Sequence, residues 1–584
     1  MGARSERLLG WARGSLAIHF AIGALVCLFV LSPALFTPWG FGPDYTNHLW
    51  LVWQQGLAVS HSGHPTLFLQ TPDAIFEPLF GFYGGTLYGA AGIASAILGN
   101  HPYPVYVSSI GAAAALAYAG MWWLGRQLGI SRWTAHTPAI VFVTAAYYLT
   151  DAYARGAWTE FVALSAVPMF LAAGARLLTR PWGPGPVALF VLATVVLTGS
   201  HNITLFWSVV VIGPVAVAIW IAARRSRPSL LAVAKTAALA LVAMGINAWF
   251  LVLDLTHNKE TLVGAGPGVL AWDFTKQFNQ LGMVLNPLRH TPAESTTPGL
   301  VIAAPVAALA LSVLLAALGW RRTASRAPWL RALWLILFVA IVVLVWMMVM
   351  PASWWTALGS PFILIQFPFR LAGWLCLAVA VLLAVGLCLA RDLGGAARRL
   401  AVGLTVALLV LTGVQAAAQL YDGPRVDGIV NEDLHPREVA FANGPTHPPA
   451  TYYAASNYAD ASLPIVAATP GLVVRLPVPT PGDTEAAARV ALPAGGAPVA
   501  TNVAAGPYVA RIEGVRVVGR TQKGRVVVAA DSPGKRSAQL AVVADGGGSQ
   551  LVAGIVSVLC LLASIGLVIY LTVRPRLRYR RDPA

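Results

Sequence analysis

Charge is scarce in this chain: 11% of its 584 residues are Asp, Glu, Lys or Arg, where soluble domains carry roughly 25%. That is too little polar surface to face water all round. Hydrophobic residues make up 57%, and mean hydropathy is +0.68. Cysteine is nearly absent. The four present (Cys27, Cys376, Cys388, Cys560) all lie inside apolar runs and none has metal-ligand spacing, so they are small buried hydrophobes rather than a disulfide or zinc framework. Acids are fewer than bases, 23 against 39, for a net charge of +16. The surplus falls in short arginine-rich segments between apolar runs, the pattern of cytoplasmic loops, and no nucleic-acid partner is expected. There is no Walker loop, His-Glu-x-x-His pair, Gly-x-Ser-x-Gly elbow or dinucleotide fingerprint, which disfavours nucleotide-driven chemistry.

Apolar runs of 18 or more residues recur along the chain, each long enough to cross a bilayer. The reading is an α-helical polytopic membrane protein with about twelve transmembrane helices, multi-pass in the cytoplasmic membrane. Arg4, Arg7 and Arg13 precede an apolar run over 15–36, too long for a signal-peptide core and read as a retained first span. With that end inside, the remaining spans are 105–125, a hairpin over 135–178, a hairpin over 185–223 with Ser200-His201-Asn202 at its tip, 231–253, 299–319, 330–350, 369–390, 401–420 and 550–573. The Gly/Tyr-rich segment 79–98 is left as a helix lying on, or dipping into, the external face. Every arginine-rich loop and both termini then face the cytoplasm. This divides the chain into a transmembrane domain over 1–420, with external loops at 37–104 and 254–297, and a final helix with a basic tail over 549–584. Between them lies a segment over 421–548 rich in Pro, Gly, Asp and Thr. Its short β-branched runs (Leu472–Leu476, Tyr508–Ile512, Arg525–Val528) are separated by turn signals, as in an antiparallel β-sandwich, here extracytoplasmic.

Candidate chemistry gathers at the expected external ends. In Gly42-Pro43-Asp44-Tyr45-Thr46-Asn47-His48, a carboxylate precedes an imidazole by four residues. A surface helix over 44–58 puts Asp44, His48 and Gln55 within about 40° of one another, with Trp50 and Trp53 suited to the interface. A carboxylate beside an imidazole can take a proton from an attacking hydroxyl. Equally, Asp44 can simply cap the helix. In Asp151-Ala-Tyr153-Ala-Arg155-Gly-Ala-Trp158-Thr-Glu160, Asp151 and Arg155 are either a surface i,i+4 ion pair or part of a site in which Arg155 meets a phosphate and Glu160 approaches Asp44. His201-Asn202 is a ligand pair or a solvated helix end. Arg370, in Gln366-Phe-Pro-Phe-Arg370, either snorkels to lipid phosphate or binds the phosphate of a lipid-linked substrate. The mixed-charge 254–297 loop is a lid or a connection.

Taken in order, the Asp44–His48 stretch, Phe80-Gly-Phe82-Tyr83-Gly-Gly-Thr-Leu-Tyr88, the 153–161 stretch, Ser200-His201-Asn202-Ile-Thr and Gln366–Arg370 resemble the bacterial membrane proteins labelled "6-pyruvoyl-tetrahydropterin synthase-related". Those are similar to the GT-C class of integral-membrane glycosyltransferases. The resemblance covers roughly 15–420. It implies transfer of a sugar from a polyprenyl-phosphate donor to a cell-envelope glycan, lipid or protein outside the cytoplasm. The first-loop acid, Asp44, would act as base, with His48 and Glu160 beside it. Arg155, Arg370, His201, Asn202, Tyr83 and Gln366 would form the substrate-binding set. Many such enzymes pair two acids in this loop. Here Asp44 has no adjacent acid, so His48, Asp73, Glu77 or Glu160 must supply a second group, and a divalent metal is left open. The alternative is a non-enzymatic carrier, flippase or scaffold for lipid-linked precursors. A carrier places ionisable residues at mid-span, whereas here they cluster at the ends.

Overall fold

A computed structural model describes residues 2–36, 44–224, 227–257, 261, 303–321, 328–359, 362, 368–422, 459–460, 462–506, 509–532, 534–544 and 547–581. In chain order its helices are α1 (Gly2–Phe36), α2 (Tyr45–Ser62), α3 (Leu79–Phe82), α4 (Gly85–Ile97), α5 (Pro102–Leu128), α6 (His136–Val143), α7 (Ala146–Leu149), α8 (Trp158–Thr179), α9 (Pro184–Ser200), α10 (Asn202–Ala222), α11 (Leu230–Gly245), α12 (Ala248–His257), α13 (Ala303–Gly319), α14 (Pro328–Val349), α15 (Ala352–Leu358), α16 (Leu371–Leu389), α17 (Gly395–Asp422) and α18 (Gly547–Arg581).

Among the described residues, eight helices are long and apolar enough to cross a membrane, or nine if the bent pair α11–α12 counts as one span. The chain is a polytopic helical membrane protein. The difference from twelve has local causes. The first limb of the 135–178 hairpin is not one helix. The Thr144 hydroxyl donates back to the Ile140 carbonyl at 2.6 Å, Ala145 is extended, and α7 runs into a π-helical turn over Thr150–Ala154. The expected 231–253 span bends by 90° between α11 and α12. Asn247 fills that break: its Nδ2 donates to Val195 O at 2.9 Å and Thr198 Oγ1 at 2.6 Å, and its Oδ1 accepts from Thr86 Oγ1 at 2.7 Å. The apolar helix α9 is shorter than a full span, and α13 is described only from residue 303. Segment 79–98 forms α3 and α4, and the 13 residues of α4 reach about 20 Å, short of the ~30 Å hydrocarbon core.

The helical core centres on α5, α8 and α16, the last buried along nearly its whole length. Gly120 lets α5 and α8 touch backbone to backbone: a Cβ there would sit 2.3 Å from the Met169 nitrogen.

Among the described residues, the C-terminal unit holds seven strands: β1 (Val473–Val474), β2 (Glu485–Ala491), β3 (Val499–Ala504), β4 (Val509–Glu513), β5 (Arg516–Arg520), β6 (Arg525–Ala529) and β7 (Ser537–Ala544). They form two sheets, ordered β1-β3-β6-β5 and β2-β7-β4. All named strand pairs are antiparallel except β1–β3, which is parallel, so the expected purely antiparallel arrangement is corrected at one edge. α17 continues through Asp422, and residues 423–458, where the expected β unit begins, lie outside the described residues.

This β unit is fastened to the helices. Phe68, Ile75, Phe76 and Phe82 from the segment after α2, with Phe250 and Leu253 of α12, share one apolar core with Val503, Val528 and Leu540. Ile75 enters the β3 edge, its N–H donating to Asn502 O at 2.8 Å and its carbonyl accepting from Ala504 N at 3.0 Å. The same 64–83 segment that packs under the sheets therefore ends at Tyr83, in the cluster described next.

Candidate active site

One turn supplies three of the charged groups. The π turn makes the Arg155 N–H reach back to Thr150 O at 2.8 Å, and Ala157 N bonds Asp151 O at 2.9 Å. The chain thus folds Arg155 over the start of α8, where Glu160 stands. A single guanidinium nitrogen, Arg155 Nη1, donates to Asp151 Oδ1 at 2.7 Å, Tyr147 Oη at 2.9 Å and Glu160 Oε2 at 3.1 Å. Tyr147 in turn donates to Glu160 Oε1 at 2.8 Å. Asp151 is fully buried and Glu160 nearly so. The surface ion pair allowed by the spacing is therefore an interior network, in which losing one partner costs far more than on a surface.

Arg370 reaches the same carboxylate from a distant part of the chain. It closes a 3₁₀ turn over Pro368–Arg370 at the head of α16. Its Nε lies 3.2 Å from Glu160 Oε2, and the neighbouring Phe369 ring centroid lies 5.3 Å from Arg155 Cζ. Glu160 thus holds both guanidinium groups in one place.

Asp44 completes the cluster. Its N–H donates to Arg155 O at 3.1 Å, so the chain entering α2 is anchored on the turn that carries Arg155. Its side chain makes no capping bond to α2, and the cap reading does not describe how the carboxylate is used. It is half-buried. Burial raises its pKa above the ordinary carboxylate range, Arg155 and Arg370 oppose that rise, and Glu160 adds to it. The expected Asp44–His48 dyad is not formed: His48 Nδ1 is engaged by Tyr88 Oη at 2.5 Å. Burial, then Arg155, lowers the His48 pKa to about 3, leaving a neutral imidazole at neutral pH.

Around this centre stand the other predicted residues. His201 is buried between α9 and α10, its pKa lowered by burial to about 3 despite the opposing pull of Glu160. The Tyr83 ring lies 5.8 Å from that imidazole, edge to face, and its hydroxyl pairs with Thr159 Oγ1 at 2.7 Å. Burial pushes the phenol up to about 12. The turn after Tyr83 needs a glycine: Gly84 has φ +59, and a Cβ there would meet Ser200 O at 2.7 Å. Asn202 is a tie rather than an open ligand, its Nδ2 donating to Phe82 O and Asp254 Oδ2, both at 2.7 Å.

Several expectations fall elsewhere. Gln55 is a loop brace, bonded through both amide atoms to Thr66. Asp73 is an exposed partner of Arg475 at 3.3 Å, and the buried Glu77 pairs through its backbone with Leu69. Gln366 and most of the 254–297 loop lie outside the described residues. The sequence reading gave no role to Tyr147, Tyr88 or Asp254. Tyrosines beside a carboxylate motif were the one available hint, and Asp254 carried none. Among the described residues, no three His, Cys, Asp or Glu side chains are placed to hold a metal, and no step below passes through one.

No protein-family model matches this chain, and no curated protein matches it. Among solved structures, it is similar to the arabinofuranosyltransferase AftD from Mycobacteria, with 17% identity over 71% of this chain and a TM-score of 0.45. It is also similar to ArnT from Cupriavidus metallidurans bound to undecaprenyl phosphate, with 12% identity over 90% of this chain and 99% of that one, and a TM-score of 0.39. The chain spans 27% of the AftD chain. These likenesses are too distant to carry a functional conclusion. The pterin-synthase-related label finds no support in any of them.

Proposed function

We propose that the chain is a GT-C-like glycosyltransferase that moves a sugar from a polyprenyl-phosphate donor to a cell-envelope acceptor on the extracytoplasmic side. The supporting observation is Asp44, whose carboxylate receives no hydrogen bond from the described residues while its backbone is tied to the turn carrying Arg155 and its charge feels both Arg155 and Arg370.

In this mechanism the acceptor hydroxyl oxygen attacks the anomeric carbon and a new C–O bond forms. The hydroxyl proton passes to the Asp44 carboxylate. The bond from the anomeric carbon to the phosphate oxygen breaks, and the lipid phosphate departs with the electron pair. Arg155 and Arg370, locked by Glu160 before substrate arrives, face the charge that grows on the phosphate. Fixed cations of this kind need no reorganisation during the reaction. Asp44 suits the base: burial makes it more basic than an ordinary carboxylate. Neutral His201 and Tyr83 line the space as hydrogen-bonding groups for sugar hydroxyls. In this reading the β unit, packed against the segment leading to Tyr83, presents the acceptor.

The test is transfer by the purified full chain from a set of polyprenyl-phosphate sugars to envelope acceptors, with Asp44→Ala alongside. Loss of transfer in a folded Asp44→Ala variant supports the reading. Equal transfer by the variant removes Asp44 from it. Translocation of lipid-linked precursor without transfer replaces the enzyme with a carrier.

A further inference from the structure

Three carboxylates, Asp44, Asp151 and Glu160, form one cluster with two guanidinium groups, Arg155 and Arg370. The carboxylates are not equivalent. Glu160 has both oxygens engaged, Oε1 by Tyr147 and Oε2 by Arg155 and Arg370. Asp44 retains exposed surface. Asp151 is fully buried, one oxygen bonded to Arg155 Nη1 and the other, Oδ2, buried with no partner among the described residues. Arg155 Nη1 carries two hydrogens, and Tyr147 and Glu160 compete for them. A buried anionic oxygen without a donor is far costlier than a buried neutral one, and two carboxylates on one donor nitrogen repel each other.

We propose that Asp151 is held as the neutral carboxylic acid in the resting cluster. It is a positioning residue: it accepts from Arg155 without adding its own negative charge. At most two anions, Asp44 and Glu160, then face two cations, and a donor phosphate approaches a cluster with no net negative charge to repel it. That last consequence rests on the transferase reading; the protonation state does not. The groups facing Asp151 are Glu160, Arg155, Arg370 and Asp44, with Tyr106 and Tyr147 also in its field. Burial and then Glu160 drive its pKa upward, outweighing the two arginines.

The test is infrared difference spectroscopy on the full chain in lipid nanodiscs at neutral pH, wild type minus Asp151→Asn. A lost carbonyl stretch of a protonated acid, with no lost carboxylate bands, is the expected result. Lost carboxylate bands overturn the proposal. If Asp151→Asn does not fold, the pH titration of that stretch is compared between Asp44→Asn and Asp44→Asn/Glu160→Gln, in which Asp44 does not contribute. Removing the neighbouring anion moves its loss to lower pH if Asp151 carries the proton, and an unmoved titration overturns the assignment. In transfer assays Asp151→Ala lowers kcat, and Asp151→Asn, which keeps the acceptor oxygen, restores it; equal loss in both shows that the ionised form is required. An acid band without any transfer keeps this proposal and rejects the transferase.

Discussion

The backbone amide of Asp44 donates to the backbone carbonyl of Arg155 across 3.1 Å. One hydrogen bond thus joins the start of α2 to the π turn before α8, and sets the carboxylate of one within the field of the guanidinium of the other. Because the tie is main chain to main chain, substituting either side chain leaves it in place, and the two roles can be separated by mutation.

Asp44→Asn removes the base but keeps shape and backbone tie. Transfer should fall by about 10²–10⁴-fold, the range for losing a general base, with the thermal midpoint in detergent little changed. The measurement is initial rate against donor concentration beside a melting curve. A matching fall in both quantities points to a structural Asp44.

Arg155→Met keeps length but removes the donor that Asp151, Tyr147 and Glu160 share, leaving Glu160 with Arg370 as its one cation among the described residues. Losing one partner of a buried ion pair costs about 3–5 kcal/mol. The variant should melt markedly lower than Asp44→Asn, a contrast read in one set of unfolding curves. Arg155→Lys should recover only part of the loss, since an ammonium does not reproduce the planar guanidinium set against Phe369.

Much of this site was legible in the residues. Apolar run length and arginine placement gave the helical membrane class. The short polar stretches between runs gave Asp44, Arg155, Glu160, His201 and Arg370, which do meet. Charged residues are so few here that those placed at span ends stand out. What the spacing hid was set by tertiary contact. Asp151 and Arg155 fit an i,i+4 surface pair, and only the π turn and the arrival of Arg370 from over 200 residues away make that pair interior. The bend after Gly245 rests on Asn247 bonding residues on two other segments, which periodicity does not encode. Ile75 pairing with β3 is a contact across more than 400 residues with no local signal.

The attachment of the β unit gives a third prediction. Asn502 is buried, its Oδ1 accepting from Leu476 N and its Nδ2 donating to Leu476 O, both at 2.9 Å, while its carbonyl receives the Ile75 amide. Asn502→Leu strands those Leu476 groups, at about 1–3 kcal/mol. The β unit should then become susceptible to limited proteolysis at protease levels that leave the wild type intact, while the helical core resists.

The pH profile tests the electrostatics of Asp44 by sign alone. Transfer requires the carboxylate ionised, so the rate rises with pH through the Asp44 pKa, which burial places above the ordinary value. Glu160 raises that pKa and Arg370 lowers it. In Glu160→Gln the anionic neighbour is gone, the carboxylate ionises more readily, and the acid limb should move to lower pH. In Arg370→Gln the stabilising cation is gone, and the limb should move to higher pH. The reading is the midpoint of kcat/KM against pH, which is independent of how far each variant's maximal rate has fallen. Because the two shifts are opposite, a general loss of packing cannot produce both. If both variants move the limb the same way, or neither moves it, the titrating group is not Asp44.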